Sequence, residues 1–174
     1  MKTHDCTDLE AAYELRPVRQ EEAEETVRIE AICFPPNEAC KREHMIPRIA
    51  AAADFFLVAE DRATGRLAGF INGIATNETV FRDEFFTDAS LHDPNGENIM
   101  ILGLDVLPEY RGQGLGRLLM KTYAERFPGR RLVLTCLDHL VSMYEKFGFR
   151  DLGISASVWG GEQWHEMERG QEPR

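Results

Sequence analysis

The stretch "LPEYRGQGLGRLLMKTYAERF", Leu107 to Phe127, decides how the whole chain is read. It sets Gly112, Gly114 and Gly116 beside Arg111, at the mouth of a run whose Leu115, Leu118, Leu119 and Thr122 recur at core-facing helical spacing. A strand that ends in a glycine-rich turn and feeds straight into a helix aims several unpaired backbone N–H groups, and the positive end of the helix dipole, at one point. Glycine lets the backbone approach a ligand with no Cβ in the way, and the guanidinium fork of Arg111 matches phosphate oxygens. The stretch therefore reads as a pyrophosphate-binding turn. It is not a P-loop, which needs GxxxxGK(S/T). Nor is it the dinucleotide fingerprint, which needs early placement in a βαβ unit and an acidic residue about 20 positions on.

Immediately upstream, "IMILGLDVL" is a nearly continuous apolar run that suits a buried central strand, closed by Pro108. Downstream, "RRLVLTC" reads as a strand, "LVSMYEKFG" as a helix, and "FRDLGI" and "EQWHEM" as strands. Before the central strand, Tyr13 to Pro17 reads as an edge strand. The segment "RQEEAEETVRIEAICF" reads as a helix with Ala23, Val27, Ala31 and Phe34 on one side, ended by Pro35 and Pro36. A second helix is expected from about Lys41 to Ala53. "FFLVAE" and "LAGFINGIAT" flank the turn "DRATG" as a hairpin. Asn77 to Asn98 is polar with aromatic insertions at Phe81, Phe85 and Phe86, and ends on the turn signal "HDPNGEN". The order is mixed α/β on one sheet.

The 174 residues suit one domain, and 43% hydrophobic content is enough for a core. We place it at 13–168, between a polar N-terminal tail (1–12) and a C-terminal one (169–174). Twenty Lys and Arg against 30 Asp and Glu give a net charge of −10, which argues against a nucleic-acid or anionic-membrane partner. Cys6, Cys33, Cys40 and Cys136 form no CxxC pair and no zinc-ligand spacing, so free thiols and no metal are expected. No apolar leader and no run of about 18 apolar residues stands out, and a soluble cytoplasmic protein, monomeric or weakly dimeric, is the expectation.

The pattern Arg111-x-x-Gly114-x-Gly116 after a buried strand, with "LTCLDHLVSMYEKFGF" beyond it, resembles the acetyl-CoA motif of the GNAT superfamily of N-acetyltransferases. The later run "VWGGEQWHEM", with Gly160 and Trp164, is similar to the arylalkylamine group of that superfamily, over about Tyr13 to Glu168. The resemblance implies a mostly antiparallel sheet with a splayed parallel strand pair, flanked by helices. It implies acetyl-CoA as co-substrate. The amides of Gly112, Gln113, Gly114, Leu115, Gly116 and Arg117, with Arg111, would hold its pyrophosphate. The pantetheine arm would pair like an extra strand along Leu104, Asp105 and Val106, and a backbone N–H there would stabilise the oxyanion. Tyr144 would protonate the leaving thiolate, and Phe34 and Trp164 would flank the ring of a small arylalkylamine.

Where that group carries two strand histidines, this chain has Met100 and Leu102, which take no proton. By strand alternation Met100, Leu102 and Leu104 share an apolar face. His92, Glu97, Asp105 and His139 are the ionisable groups near enough in sequence to be weighed as the base, with water as the alternative. Asp138 stands where the family contacts coenzyme A or caps the helix carrying Tyr144. A polyamine, aminoglycoside or protein amine is a second acceptor class, and a weakly catalytic coenzyme A-binding protein a third possibility.

Overall fold

The computed structural model describes residues 6–170. Helix α1 (Cys6–Ala12) leads into edge strand β1 (Tyr13–Pro17), then α2 (Ala23–Cys33), α3 (Arg42–Ala52) and the hairpin β2 (Phe56–Asp61) and β3 (Leu67–Thr76). A short helix α4 (Glu84–Thr87) precedes β4 (Asn98–Val106), followed by α5 (Leu115–Arg126), β5 (Arg131–Cys136), α6 (Val141–Lys146), β6 (Arg150–Ile154) and β7 (His165–Arg169). The seven strands form one sheet in the order β1-β2-β3-β4-β5-β7-β6. Every pairing is antiparallel except the parallel pair β4–β5.

Two hydrophobic clusters cover the sheet. One holds Leu57, Ala59, Ile71 and Ile99 against Leu115, Leu119 and Tyr123 of α5. The other holds Phe56, Val58 and Phe70 against Ile29 of α2 and Met45 and Ile49 of α3. Successive residues of β2 alternate between the clusters, the period-two pattern of a strand buried on both sides. β3 is buried along its whole length.

Several sequence expectations are corrected. Residues 6–12, read as tail, form α1, whose buried Leu9 packs into the first cluster; residues 1–5 lie outside the described residues. β7 begins at His165 rather than Glu162 and runs through Arg169, one residue past the expected boundary. The buried residues of α2 are Ala23, Thr26, Ile29 and Glu30, while Ala31 faces solvent. Thr122 is only half-buried, and Tyr123 fills the core in its place.

Two irregularities in β4 shape the sheet around its C-terminal half. Asn72 stands opposite Gly103 and Gly73 opposite Ile101, so Leu102 is an extra residue in β4. This bulge breaks the expected alternation: Met100 pairs with Ile74 and Leu104 with Ile71, neighbours of opposite parity on β3. Met100, Leu102 and Leu104 therefore do not share one face. β4 and β5 also pair only from Asn98↔Arg131 to Met100↔Val133, and then diverge.

Candidate active site

The divergence of β4 and β5 opens a cleft. Its walls come from Leu102, Gly103 and Leu104 on one strand and Leu134, Thr135 and Cys136 on the other. Past Met100, β4 keeps β3 on one edge but has no strand on the other. The freed edge is a place where an extended ligand can pair with backbone.

Tyr144 of α6 lines this cleft. Its ring is buried, edge-on to Phe147 and Phe149 with centroids 5.9 Å away in each case. Burial, and then the nearby Cys136 and Asp105, hold the phenol well above its ordinary range. Across any working pH the group keeps its proton and remains a donor.

The glycine turn lies at the end of β4. Gly112 and Gly114 have φ of 83° and 93°, a left-handed conformation that L side chains rarely adopt. The first main-chain bond of α5 runs from the Leu118 N–H to the Gly114 carbonyl, leaving the amides before it to a ligand. Gln113 turns its side chain away, donating to the Tyr13 hydroxyl at 2.7 Å and the Tyr110 carbonyl at 2.9 Å, which ties the turn to β1. Arg111 Nε donates to the Val106 carbonyl at 2.8 Å, pinning the guanidinium at the exit of β4. The side chain of Arg117 lies over the Phe147 ring at 5.4 Å. A Cβ at Gly116 would meet only ordinary contacts with Val106 and Leu104.

Phe34 and Trp164 both line the cleft, as does a pair of aromatics that the sequence did not assign to the site, Phe86 and Trp159. The latter rings stack at 4.6 Å with 29° between planes. Trp159 is held by its indole N–H on the Glu38 carbonyl, and Trp164 by its indole N–H on the Trp159 carbonyl, each at 2.9 Å. Phe86 is fixed through its carbonyl, which accepts from the buried Arg48 at 2.8 Å. Asp83 accepts from the Ser157 hydroxyl and the Val158 N–H, locking the segment before α4 to the loop carrying Trp159. At Gly160 a Cβ would lie 2.6 Å from the Asn37 carbonyl, so only glycine allows these loops to approach. The repeated aromatic-glycine composition of "VWGGEQW" is the sequence signal that points to Trp159.

Two carboxylates also reach the cleft, Glu30 and Glu38. Burial, and then the charge of Glu162, push the Glu38 carboxyl up. Glu30 lies off the stripe of Ala23, Val27, Ala31 and Phe34 that the sequence suggests for α2. The alternative spacing Ala23, Thr26, Glu30, Cys33 is equally regular and brings it to the inner face.

None of the three ionisable groups weighed outside β4 lines the cleft. His92 Nδ1 accepts the Ala75 N–H at 3.0 Å, its ring edge-on to Phe55, and burial pulls its pKa down. Glu97 is exposed on the turn before β4, and His139 is exposed after β5. Asp138 makes no helix cap; it pairs with His165 Nε2 at 3.0 Å. Asp105 is fully buried beneath Gly103. Among the described residues, no group of three or more His, Cys, Asp or Glu could hold a metal ion, and no helix is long and apolar enough to cross a membrane.

Known proteins share this fold. Residues 17–149 match the model of the acetyltransferase (GNAT) family. A serotonin N-acetyltransferase of Mesocricetus auratus is 35% identical over 108 residues, which cover 60% of this chain and 51% of that protein. The chain spans about half the length of the curated relatives it matches. Among solved structures, the loading GNATL domain of CurA from Lyngbya majuscula superposes with a TM-score of 0.78 at 16% identity, over 91% of this chain and 97% of that one. Arabidopsis thaliana Naa50, in complex with the bisubstrate analogue CoA-Ac-MVNAL, gives 0.70 at 17% identity, over 91% and 99%. With the matched model spanning most of the sheet, from the end of β1 to the start of β6, the chain belongs to the acetyltransferase (GNAT) family.

Proposed function

We propose that the protein is an N-acetyltransferase that moves the acetyl group of acetyl-CoA to the primary amine of a small arylalkylamine, by direct transfer in a ternary complex. The observation that carries the reading is one cleft with three parts. The stretch of β4 freed from β5 (Leu102 to Leu104), the Tyr144 side chain, and the aromatics Phe34, Phe86, Trp159 and Trp164 all line it.

The residues fit a coenzyme A thioester. The free amides from Gly112 to Arg117 and the pinned Arg111 suit a pyrophosphate, and the β4 edge at Leu104 to Val106 suits an extended amide-bearing arm. Acetyl-CoA supplies the activated acetyl group. A backbone N–H of the same edge stabilises the oxyanion of the tetrahedral intermediate, and proximity in the ternary complex removes much of the entropic barrier. Tyr144 donates to the sulfur as the C–S bond breaks. The aromatic wall favours a flat apolar ring over a flexible polyamine, and the name of the serotonin N-acetyltransferase relatives points the same way. The four cysteines are free, in keeping with a reducing, cytoplasmic setting.

Glu30 and Glu38 in the cleft favour a second reading, acetylation of a polyamine or another polycation, because two carboxylates can meet two ammonium groups. Acetyl-CoA-dependent thiol release with tryptamine, phenethylamine, spermidine and a lysine peptide separates them. Turnover of the two arylalkylamines above the others supports the proposal. Preference for spermidine or the peptide overturns it in favour of the second reading, and coenzyme binding with no transfer to any of the four overturns both.

A further inference from the structure

We infer that Glu30 is the proton acceptor for the substrate ammonium, and that Asp105 positions it through a hydrogen bond donated from Asp105 to Glu30. The inference rests on the amine-acetylation reading above and deepens it. It assigns the base to a helix carboxylate beside the bulge of β4, a group outside the set of His92, Glu97, Asp105 and His139 weighed from the sequence.

Three polar atoms from three elements converge over Gly103, a residue of the cleft wall. A Cβ there would lie 3.1 Å from Asp105 Oδ1, 3.2 Å from Asn72 Nδ2 and 3.6 Å from Glu30 Oε1. Only glycine leaves this space open. Glu30 itself lines the cleft and is only 4% exposed. Its Oε2 accepts the Cys40 N–H at 2.9 Å, which leaves Oε1 as the oxygen turned toward Gly103.

Asp105 has 0% exposure, and neither of its oxygens receives a hydrogen bond from a protein donor. Two ionised carboxylates cannot stand side by side in such a place, whereas a protonated Asp105 has Glu30 as its acceptor. Burial first, then the charge of Glu30 and the hydrogen bond to it, hold the Asp105 carboxyl well above the usual range. The proton of the pair is thus placed on Asp105. The other titratable or charged groups around it are Cys33 of α2, Cys40 in the loop after it, Arg48 of α3 and Tyr144 of α6. Arg48 spends its guanidinium on Asn72 Oδ1 at 3.0 Å and the Phe86 carbonyl, so it does not neutralise Glu30.

The proton balance closes. An arylalkylammonium gives one proton to the Glu30 carboxylate, and the neutral amine attacks the thioester carbonyl. The C–N bond forms and the C–S bond breaks. The second nitrogen proton replaces the one Tyr144 delivers to sulfur. Glu30 returns its proton to water once the amide leaves.

The test combines kinetics with a measurement that needs no substrate. Glu30→Gln keeps the oxygen that accepts from Cys40, so the fold is retained. It is expected to lower kcat/KM about 10²- to 10⁴-fold for an acceptor of ordinary amine pKa. The deficit shrinks for a weakly basic fluorinated phenethylamine, which arrives already neutral. Asp105→Asn imitates the protonated acid and keeps a donor to Glu30, so it retains more activity than Asp105→Ala. Asp105→Ala removes the donor and moves the acidic limb of the kcat/KM profile to higher pH. In the infrared, a protonated-carboxyl band of the wild type at neutral pH is lost in Asp105→Asn. An absent band overturns the shared proton, and Glu30→Gln matching wild type across pH and acceptors overturns the base. Neither result touches the proposed substrate class. A wild type that ignores arylalkylamines but acetylates spermidine or the peptide overturns that class instead, and the same comparison then runs on the amine it takes.

Discussion

Phe86 and Trp159, 73 residues apart in the chain, lie ring on ring with centroids 4.6 Å apart at the edge of the cleft. The stack joins the segment before β4 to the loop before β7, and each ring is fixed by backbone held elsewhere, through Arg48 and through Glu38. Such a pair contributes about 0.5–1.5 kcal/mol beyond its buried area, and under the proposed function a substrate ring would add a third member to it. Trp159→Ala should therefore raise KM for tryptamine roughly 3- to 10-fold, with the KM for acetyl-CoA unchanged. Steady-state kinetics with each substrate varied in turn checks this. An equal loss on spermidine would mean that Trp159 only supports the loop.

Tyr144→Phe keeps the ring between Phe147 and Phe149 and removes only the hydroxyl. The thermal midpoint should hardly move, while kcat falls about 10²- to 10⁴-fold, the range for loss of a positioned proton donor. Because burial raises the phenol's pKa, the wild-type profile should show no descending limb from Tyr144 in the alkaline range where a free tyrosine titrates. Stopped thiol assays across pH measure both effects.

The phosphate turn predicts a separation between coenzyme and fragment. Gly114, at φ 93°, is costly to replace: Gly114→Ala should lower stability by about 1–2 kcal/mol and weaken acetyl-CoA binding. Arg111→Ala should weaken it by roughly tenfold or more, the worth of a charged hydrogen bond. Neither change should much affect acetyl-pantetheine, which lacks the pyrophosphate. Calorimetric titration of both ligands reads the difference.

How far these features were legible varies with how local their cause is. The glycine turn and α5 announce themselves because the bound-like backbone needs glycine at particular positions and the helix needs a regular apolar stripe. The hairpin and edge strand were equally plain. The faces of α2 and β4 were not. On α2 the stripe Ala23, Val27, Ala31 and Phe34 is the more apolar one, and burial of Thr26, Ile29 and Glu30 instead is decided by what packs above, namely α3 and the sheet. On β4 the bulge at Leu102 is set by pairing with Asn72 and Gly73, thirty residues away, and alternation has no term for it. Phe34, Trp164 and Tyr144 were placed in one cleft by resemblance. Trp159, Phe86 and Glu30 join them through loop and sheet contacts that periodicity does not encode.

His165 offers a pH test that needs no acceptor. Its Nε2 lies 3.0 Å from Asp138 and its Nδ1 3.2 Å from Asp151, joining β7 to β6 and to the turn that starts α6. The hydrogen bond to Asp151, and then the charges of both carboxylates, raise its pKa. A raised folded-state pKa contributes stability that is fully present below the unfolded value of about 6.5 and is lost as pH rises through the folded one. Denaturant unfolding of wild type and His165→Gln should thus differ most below the unfolded value of about 6.5 and converge as pH rises through the raised folded value.

Asp105 should give the opposite of the usual carboxylate behaviour. Most buried carboxylates that are paired with cations have depressed pKa values and lose stability as pH falls. Asp105 is raised instead, by burial and by Glu30. In the pH window between its unfolded value of about 3.9 and its folded one, the native state binds more protons than the unfolded state. Stability from this group is then full below the unfolded value and drains away as pH rises through the folded one. In Asp105→Asn the amide cannot titrate and still donates to Glu30, so that dependence disappears. Relative to wild type, the variant should gain stability steadily from about pH 4 toward neutrality, measured as the difference in denaturation midpoint. A constant difference across the range would mean that Asp105 is ionised in the native state, and the carboxyl pair over Gly103 would then hold two charges instead of one.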